Sequence, residues 1–367
     1  MTTISKTTTS KKRTKRTDTG SISASTVDLG GLLTRFAEPL ERELRRAIPT
    51  SERSSLYTML AYHLGWVDAD GHPSRGRRGK QLRPTLLLLA DEAAGGDPAA
   101  AMPAAAAVEL LHNFSLIHDD IQDRSAERHG RRVVWSVWGA AQGINAGDAM
   151  HAAAALSALR CAELGTPAEV VLEVARLLHE CCLRLVEGQY LDLQFEQRDE
   201  VSAADYLAMI DGKTGALLAT SIEIGALLGG GAARREEWRA FGRHLGRAFQ
   251  IVDDVLGIWG DQRVTGKPAA DDVVKGKRTL PFLLAAERLP PADAARLRAL
   301  YALPARDADA VAEAIRLMER SGARSAAERD AHRHRDEALR ALDATGARAR
   351  GGEELRAIAR FVVERDR

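Results

Sequence analysis

Three aspartates, Asp119, Asp120 and Asp123, crowd into the stretch LIHDDIQD. Carboxylates this close must protonate, bind a cation or be separated by solvent. On a helix, Asp119 and Asp123 stand one turn apart on one face with Asp120 at its edge, so several oxygens point one way. Hard divalent cations take such ligands. Mg²⁺ in particular accepts one or two carboxylates, keeps waters and completes its octahedron with phosphate oxygens. A second acidic pair, Asp253 and Asp254, follows FQIV, with Asp261 two turns beyond Asp253. Two acidic helices facing each other would hold metal ions between them. Cations suited to phosphate stand in separate motifs: Lys80 and Arg83 in GKQLRP, Arg128 after the first aspartates, Lys213 in GKTG and Lys267 in TGKP. Arginine forks onto phosphate oxygens, and lysine serves as a point charge. Together these residues suit a metal-bridged diphosphate. GRRGKQ lacks the spacing and the hydroxyl of a nucleotide P-loop.

Helices must carry these groups. In VELLHNFSLIHDD, Leu110, Phe114 and Ile117 form one apolar stripe, and in FGRHLGRAFQIVDDVLGIW a second runs through Phe241, Leu245, Ala248, Val252, Val255 and Trp259. Breaks are expected at DADGHPSRGRRG (68 to 79), GGDP (95 to 98), GGGAARREE near 230 and GDQRVTGKPAADD (260 to 272). Ala, Leu, Arg and Glu dominate between them and alternating β-branched runs are almost absent, which predicts an all-α bundle. Residues 1 to 26 are rich in Ser, Thr, Lys and Arg with little to bury and read as a disordered basic tail, leaving 27 to 367 as one all-α domain.

Across 367 residues, 52 Lys plus Arg balance 51 Asp plus Glu, so no global field favours nucleic acid. Cys161, Cys181 and Cys182 form no disulfide framework and no zinc pattern, which fits a reducing cytoplasm. No window reads as a membrane span, and the basic amino terminus lacks the apolar region of a secretory signal.

The motifs GKQLRP, VELLHNFSLIHDDIQD, AGDAM, GQYLDLQFE, KTGALL, FQIVDDVLGIWGD, TGKP, KGKRTLP and FVVERDR make the chain resemble the polyprenyl synthetase family, the trans-isoprenyl diphosphate synthases, over about residues 30 to 367. The resemblance implies a large antiparallel helical bundle around a central cavity, usually a homodimer, with three Mg²⁺ ions on Asp119, Asp120, Asp123, Asp253 and Asp254. It implies that Arg128, Lys213 and Lys267 stabilise the departing diphosphate of an allylic substrate. Lys80, Arg83 and His112 would hold isopentenyl diphosphate, whose double bond attacks the allylic cation. Thr214 and Gln250 would orient substrate, and Asp192 would support the metal shell.

Two positions depart from that family's pattern. Gly257 stands where a third aspartate usually closes the second motif, and His129 stands where an arginine usually helps to hold isopentenyl diphosphate. Arg131 or Arg132 would compensate for the latter, or a protonated His129 would, or binding of that substrate is impaired. Impairment would favour a terpene cyclase of the same fold, and a third reading is a non-catalytic partner subunit. Product length depends on the cavity beneath the first aspartates. Phe114 lies five residues before Asp119, about 7.5 Å along a helix, and with the small Ser115 beside it resembles the floor of a geranylgeranyl, twenty-carbon type, farnesyl being next.

Overall fold

The structure, a computed structural model, describes residues 29–48, 55–74, 79, 81–128, 130–198, 201–260 and 270–364. The basic tail, Lys80, His129, Asp261 and Lys267 therefore lie outside the described residues.

The expected all-α architecture is what the chain adopts. In chain order the helices are α1 (Leu29–Thr34), α2 (Ala37–Ala47), α3 (Ser55–His63), α4 (Leu82–Ala94), α5 (Met102–Gln122), α6 (Val134–Trp138), α7 (Ala140–Leu159), α8 (Ala168–Gln197), α9 (Ala203–Ile210), α10 (Ala216–Leu228), α11 (Arg235–Trp259), α12 (Asp271–Lys275), α13 (Leu280–Arg288), α14 (Pro291–Tyr301), α15 (Ala308–Arg320), α16 (Ala323–Ala344) and α17 (Ala349–Val362). Both aspartate-bearing stretches are helical, in α5 and α11. The one sheet among the described residues is a short antiparallel ribbon, Glu127–Arg128 with Arg131–Arg132.

Composition decides which helices are central. α5 opens on Met102 and Pro103 and continues AAAAVELL with every residue buried; a proline in the first turn leaves no helical donor unmet. α10 is likewise buried from Ala216 to Ala226. Helices apolar all round belong in a core, and each fully buried Leu or Ile adds about 1.5–3 kcal/mol of transfer free energy. α4, α7 and α8 pack on these two, α11 lies against α10, and α16 lies along α11. A second apolar cluster forms where the distal part of α11 meets α9 and α12 to α16. α5 and α11 thus carry their acidic ends out of packed helix cores, which fixes where those carboxylates stand. Among the described residues, no helix is long and apolar enough to cross a membrane.

Candidate active site

Asp119 and Asp120 lie in the last turn of α5, and Asp123 caps it, its N–H donating to the Asp119 carbonyl at 2.8 Å. Asp123 is exposed, Asp119 half-buried and Asp120 buried. The ribbon then folds the chain back, so that Arg128 donates to Asp120 Oδ1 from Nη2 at 2.9 Å and from Nε at 3.1 Å. The other oxygen, Asp120 Oδ2, is buried with no hydrogen-bond partner. Burial pushes Asp119 up to about 6; Lys213 opposes the rise, and Asp123 and Asp192 add to it.

Lys213 and Thr214 occupy a π turn, Asp211–Gly215, between α9 and α10. The sequence gives no warning of this turn, of a kind that recurs at functional sites. Glycine makes it possible: a β-carbon on Gly188 of α8 would lie 2.8 Å from Lys213 Cα, and one on Gly212 would lie 2.7 Å from the Arg184 carbonyl. With the backbones in contact, Asp192, one turn after Gly188, accepts a hydrogen bond from Lys213 Nζ at 2.5 Å. Arg247 of α11 holds the start of the turn by forking onto Asp211 at 2.7 and 2.5 Å. Thr214 is half-buried beside Lys213.

On α11, Asp254 is 1% exposed. Its oxygens accept from Gln250 Nε2 at 3.0 Å, Tyr206 Oη at 2.7 Å and the Leu280 amide at 3.3 Å. Burial pushes it up to about 6, against the hydrogen bonds from Gln250 and Tyr206 and the charge of Lys277. Gln250, read as a substrate-orienting residue, thus has its amide on Asp254. Asp253 is half-buried and within electrostatic reach of Arg83. Arg83 Nη1 lies 3.2 Å from His112 Nε2; a guanidinium only donates, so that nitrogen accepts and the imidazole proton sits on Nδ1. Burial, together with Arg83, Arg128 and His63, holds His112 well below the usual histidine range. Arg83 Nε is buried with no partner, a donor ready for an anion.

Two side chains join the acidic ends. Asp192 acts on Asp119 and also on Tyr206, the partner of Asp254. Lys277 is held above the ordinary lysine range: desolvation works against its charge, but Asp254, Asp272, Asp192 and Asp123 outweigh it. The ends of α5, α8 and α11 therefore face one space. Lys277, Asp272 and Tyr206 have no role in the sequence reading. For Lys277 the available signal was KGKRTLP, a lysine two residues before the buried Thr279. Gln189, one turn before Asp192, was missed too; it is buried with both amide atoms unpartnered.

The two arginines considered as stand-ins for His129 are committed elsewhere. Arg131 donates to the Tyr62 and Val67 carbonyls at 2.9 and 2.6 Å and stacks on the Tyr62 ring at 3.6 Å. Arg132 donates to the Ser136 carbonyl. Below the aspartates, the Phe114 ring packs against His118 at 4.9 Å and His151 at 5.1 Å, and His151 lies 5.7 Å from His179. The Ser115 hydroxyl turns back onto the His112 carbonyl at 2.8 Å. A narrow crevice beneath Phe114 is lined by Leu111, His151, Ala154, Ala155, Leu178 and His179.

This donor set fits a hard divalent cation. It consists of carboxylates, one has an orphaned buried oxygen, and the raised Asp119 and Asp254 would be relieved by positive charge. Among the described residues, the groups whose ligand atoms already gather within 4.8 Å are His244 with His334 and Glu337, and Asp68 with Asp70 and His72. The first aspartates are not among these groups, and Arg128 occupies one oxygen of Asp120.

Residues 72–318 match the model of the family described as polyprenyl synthetase. The chain belongs to the polyprenyl synthetase family. It is 37% identical over 354 residues to a (2E,6E)-farnesyl diphosphate synthase of Mycobacterium tuberculosis, covering 95% of this chain and 96% of that protein. It is 41% identical over 342 residues to a geranylgeranyl diphosphate synthase of the same organism, covering 92% and 95%. Among solved structures, a polyprenyl synthetase from Streptomyces coelicolor superposes with a TM-score of 0.84 at 39% identity, covering 91% of this chain and 99% of that one. A geranylgeranyl pyrophosphate synthetase from Pyrococcus horikoshii gives 0.82 at 31%, covering 92% and 98%. Polyprenyl synthetase membership thus extends beyond the matched segment to nearly the whole helical fold.

Proposed function

We propose that this polyprenyl synthetase is a short-chain trans-prenyltransferase that joins isopentenyl diphosphate to an allylic diphosphate and makes geranylgeranyl diphosphate. The observation carrying the reading is that Asp123 at the end of α5, Asp192 on α8 and Asp254 on α11 all act on Lys277, so the two acidic helix ends meet around a common lysine. Asp119, Asp120, Asp123 and Asp253 would hold Mg²⁺, which on binding supplies Lewis-acid stabilisation of the leaving diphosphate. Asp254, engaged by three protein donors, would fix the last turns of α11 so that Asp253 points at the ions.

Lys213 lies where it can leave Asp192 for a phosphate oxygen as charge develops there, and Arg128 can do the same from Asp120; charge-directed donors in a site closed to water are worth most in the transition state. Arg83, with its unpartnered Nε and the neutral His112 beside it, would take the second diphosphate. Its position across from Asp253 would set that substrate's double bond against the allylic carbon. Carbon–carbon bond formation, followed by loss of a proton to the released diphosphate, completes the turnover. Phe114 would end the product channel, with His151 directly beneath it.

The apolar residues left on the surface support a homodimer. On α8, Leu172, Leu183, Val186 and Tyr190 recur along one stripe, and Leu156 lies on the neighbouring α7. Leu172 and Leu183 are 68% and 66% exposed, and large apolar side chains recurring on one helix face are expected to be covered by a partner.

Incubation of the purified protein with Mg²⁺, isopentenyl diphosphate and each allylic diphosphate, followed by chromatography and mass spectrometry, tests the reading. Elongated diphosphates ending at twenty carbons are the expected result. A cyclised hydrocarbon, or no turnover of either substrate, would replace it with the cyclase or the partner-subunit reading.

A further inference from the structure

Away from the aspartates, α11 and α16 bring two imidazoles and a carboxylate together. His244 stands in the first half of α11, and His334 and Glu337, three residues apart and so on one face, stand on α16. His244 Nδ1 lies 2.9 Å from His334 Nδ1 and 3.0 Å from Glu337 Oε2, and His334 Nδ1 lies 3.7 Å from that same oxygen. His334 is buried, whereas His244 and Glu337 are partly exposed, which leaves an approach from solvent.

Hydrogen bonds account poorly for this triangle. Two ring nitrogens 2.9 Å apart hold one hydrogen between them, and an ionised carboxylate brings none. Three lone-pair atoms thus converge on a single proton. Ligand atoms about 2.0–2.1 Å from a tetrahedral ion stand about 3.3–3.4 Å apart, in the midst of the three separations found here. A cation seated on them would displace that proton and meet all three atoms at once. With Nδ1 given to a metal, the ring proton of His334 belongs on Nε2. Arg333 Nη2, 3.5 Å from Nε2, is not stranded by this, because it already donates to Asp330 at 2.8 Å.

The surroundings select among metals. Burial, together with Arg247 and Arg333, holds both imidazoles below the usual histidine range, and Arg243 adds to this at His244 while Glu337 opposes it. The same arginines disfavour a hard ion held by charge alone, such as Mg²⁺, and leave a site that binds through nitrogen lone pairs. Neutral imidazoles with one carboxylate suit Zn²⁺ and the transition ions near it.

We propose that His244, His334 and Glu337 bind a divalent transition ion of the Zn²⁺ type, which clasps α16 to α11. The site is independent of the proposed metal–diphosphate site and shares no ligand with it. Its reach is mechanical: Arg247, which forks onto Asp211 of the π turn, stands one turn after His244. The clasp would therefore fix the part of α11 that anchors that turn.

The test uses Co²⁺ as a probe for Zn²⁺, because its visible absorption is intense in a tetrahedral site with nitrogen ligands and weak in an octahedral oxygen site. The full chain, freed of metal by chelation and dialysis, is titrated with Co²⁺ in excess Mg²⁺, alongside H244A, E337Q, H72A and D119N, each checked for native helical content. The parent should develop the intense band at one Co²⁺ per chain and lose it on addition of Zn²⁺. H244A and E337Q, changed at partly exposed positions on different helices, should both lack the band, whereas H72A and D119N should keep it. Zn²⁺ should also raise the Tm of the parent and not that of H244A, since an ion bound only by the folded state stabilises it. A parent without the band, or a band that survives in H244A, overturns the proposal. A band lost in D119N or H72A places the ion on the aspartates or on the Asp68 loop and overturns it equally.

Discussion

Lys213 Nζ donates to Asp192 Oδ2 at 2.5 Å, across a contact between the π turn and α8 that only glycine at 188 and 212 permits. The lysine is therefore held within reach of Asp119 by a carboxylate it can exchange for substrate phosphate. Lys213→Ala should lower kcat by about 10²- to 10³-fold, the usual cost of a donor acting on transition-state charge. Lys213→Arg should not restore it, because a planar fork does not fit a point-charge position. Steady-state kinetics at saturating Mg²⁺ checks both; an alanine variant with unchanged kcat would remove Lys213 from the chemistry.

Product length should respond in steps. Phe114→Ala opens the floor, but His151 stands 5.1 Å from the Phe114 ring and His179 lies beyond it. The single variant should add one isoprene unit, and the double change with His151→Ala should add more. Mass spectrometry of the products decides; an unchanged chain length in both would show that Phe114 only packs α5 against its neighbours.

Placing charge on the apolar stripe of α8 tests the dimer. Leu172 and Leu183 are exposed in the protomer, so Leu172→Glu with Leu183→Glu should cost the isolated fold less than about 0.5 kcal/mol. Sedimentation equilibrium should show a dimer for the parent protein and a monomer for the variant. A parent that sediments as a monomer disproves the assembly outright.

A pH dependence of stability follows from Asp91, far from the aspartate cluster on α4. Burial, aided by Asp97 and Glu92, pushes its carboxyl up to about 7 from 3.8, and its Oδ2 has no partner. Because the folded state keeps a proton that the unfolded chain loses, the contribution is intact below the unfolded value and is lost as pH rises through about 7. Asp91→Asn keeps the neutral shape, so it should be neutral at pH 4 and stabilising by about 2–4 kcal/mol at pH 8. Urea melts at the two pH values measure this, and an equal effect at both would place the carboxyl in its ordinary range.

Much of this protein was legible from residue order. Helix periodicity is local, so the stripes through Phe114 and Ile117 and through Leu245 and Val252 predicted α5 and α11 and the helix ends bearing Asp119 and Asp253. Side-chain chemistry is local too, which is why paired carboxylates and separated cations suggested metal and diphosphate. The contacts made by those groups are not local. The π turn under Lys213 depends on two glycines 24 residues apart in sequence touching across helices. The commitment of Arg131 to the Tyr62 and Val67 carbonyls depends on where α3 ends. Asp254 looks equivalent to Asp253 in the sequence, yet one helical step turns it toward Tyr206 and the Leu280 amide. Asp272, 15 residues from Gly257, enters that glycine's empty space only because α12 folds against α11. Sequence determined which groups exist and which helix presents them; packing decided which carboxylates share a cation and which are spent on the fold, because charge interactions depend on distance through space, not on separation along the chain.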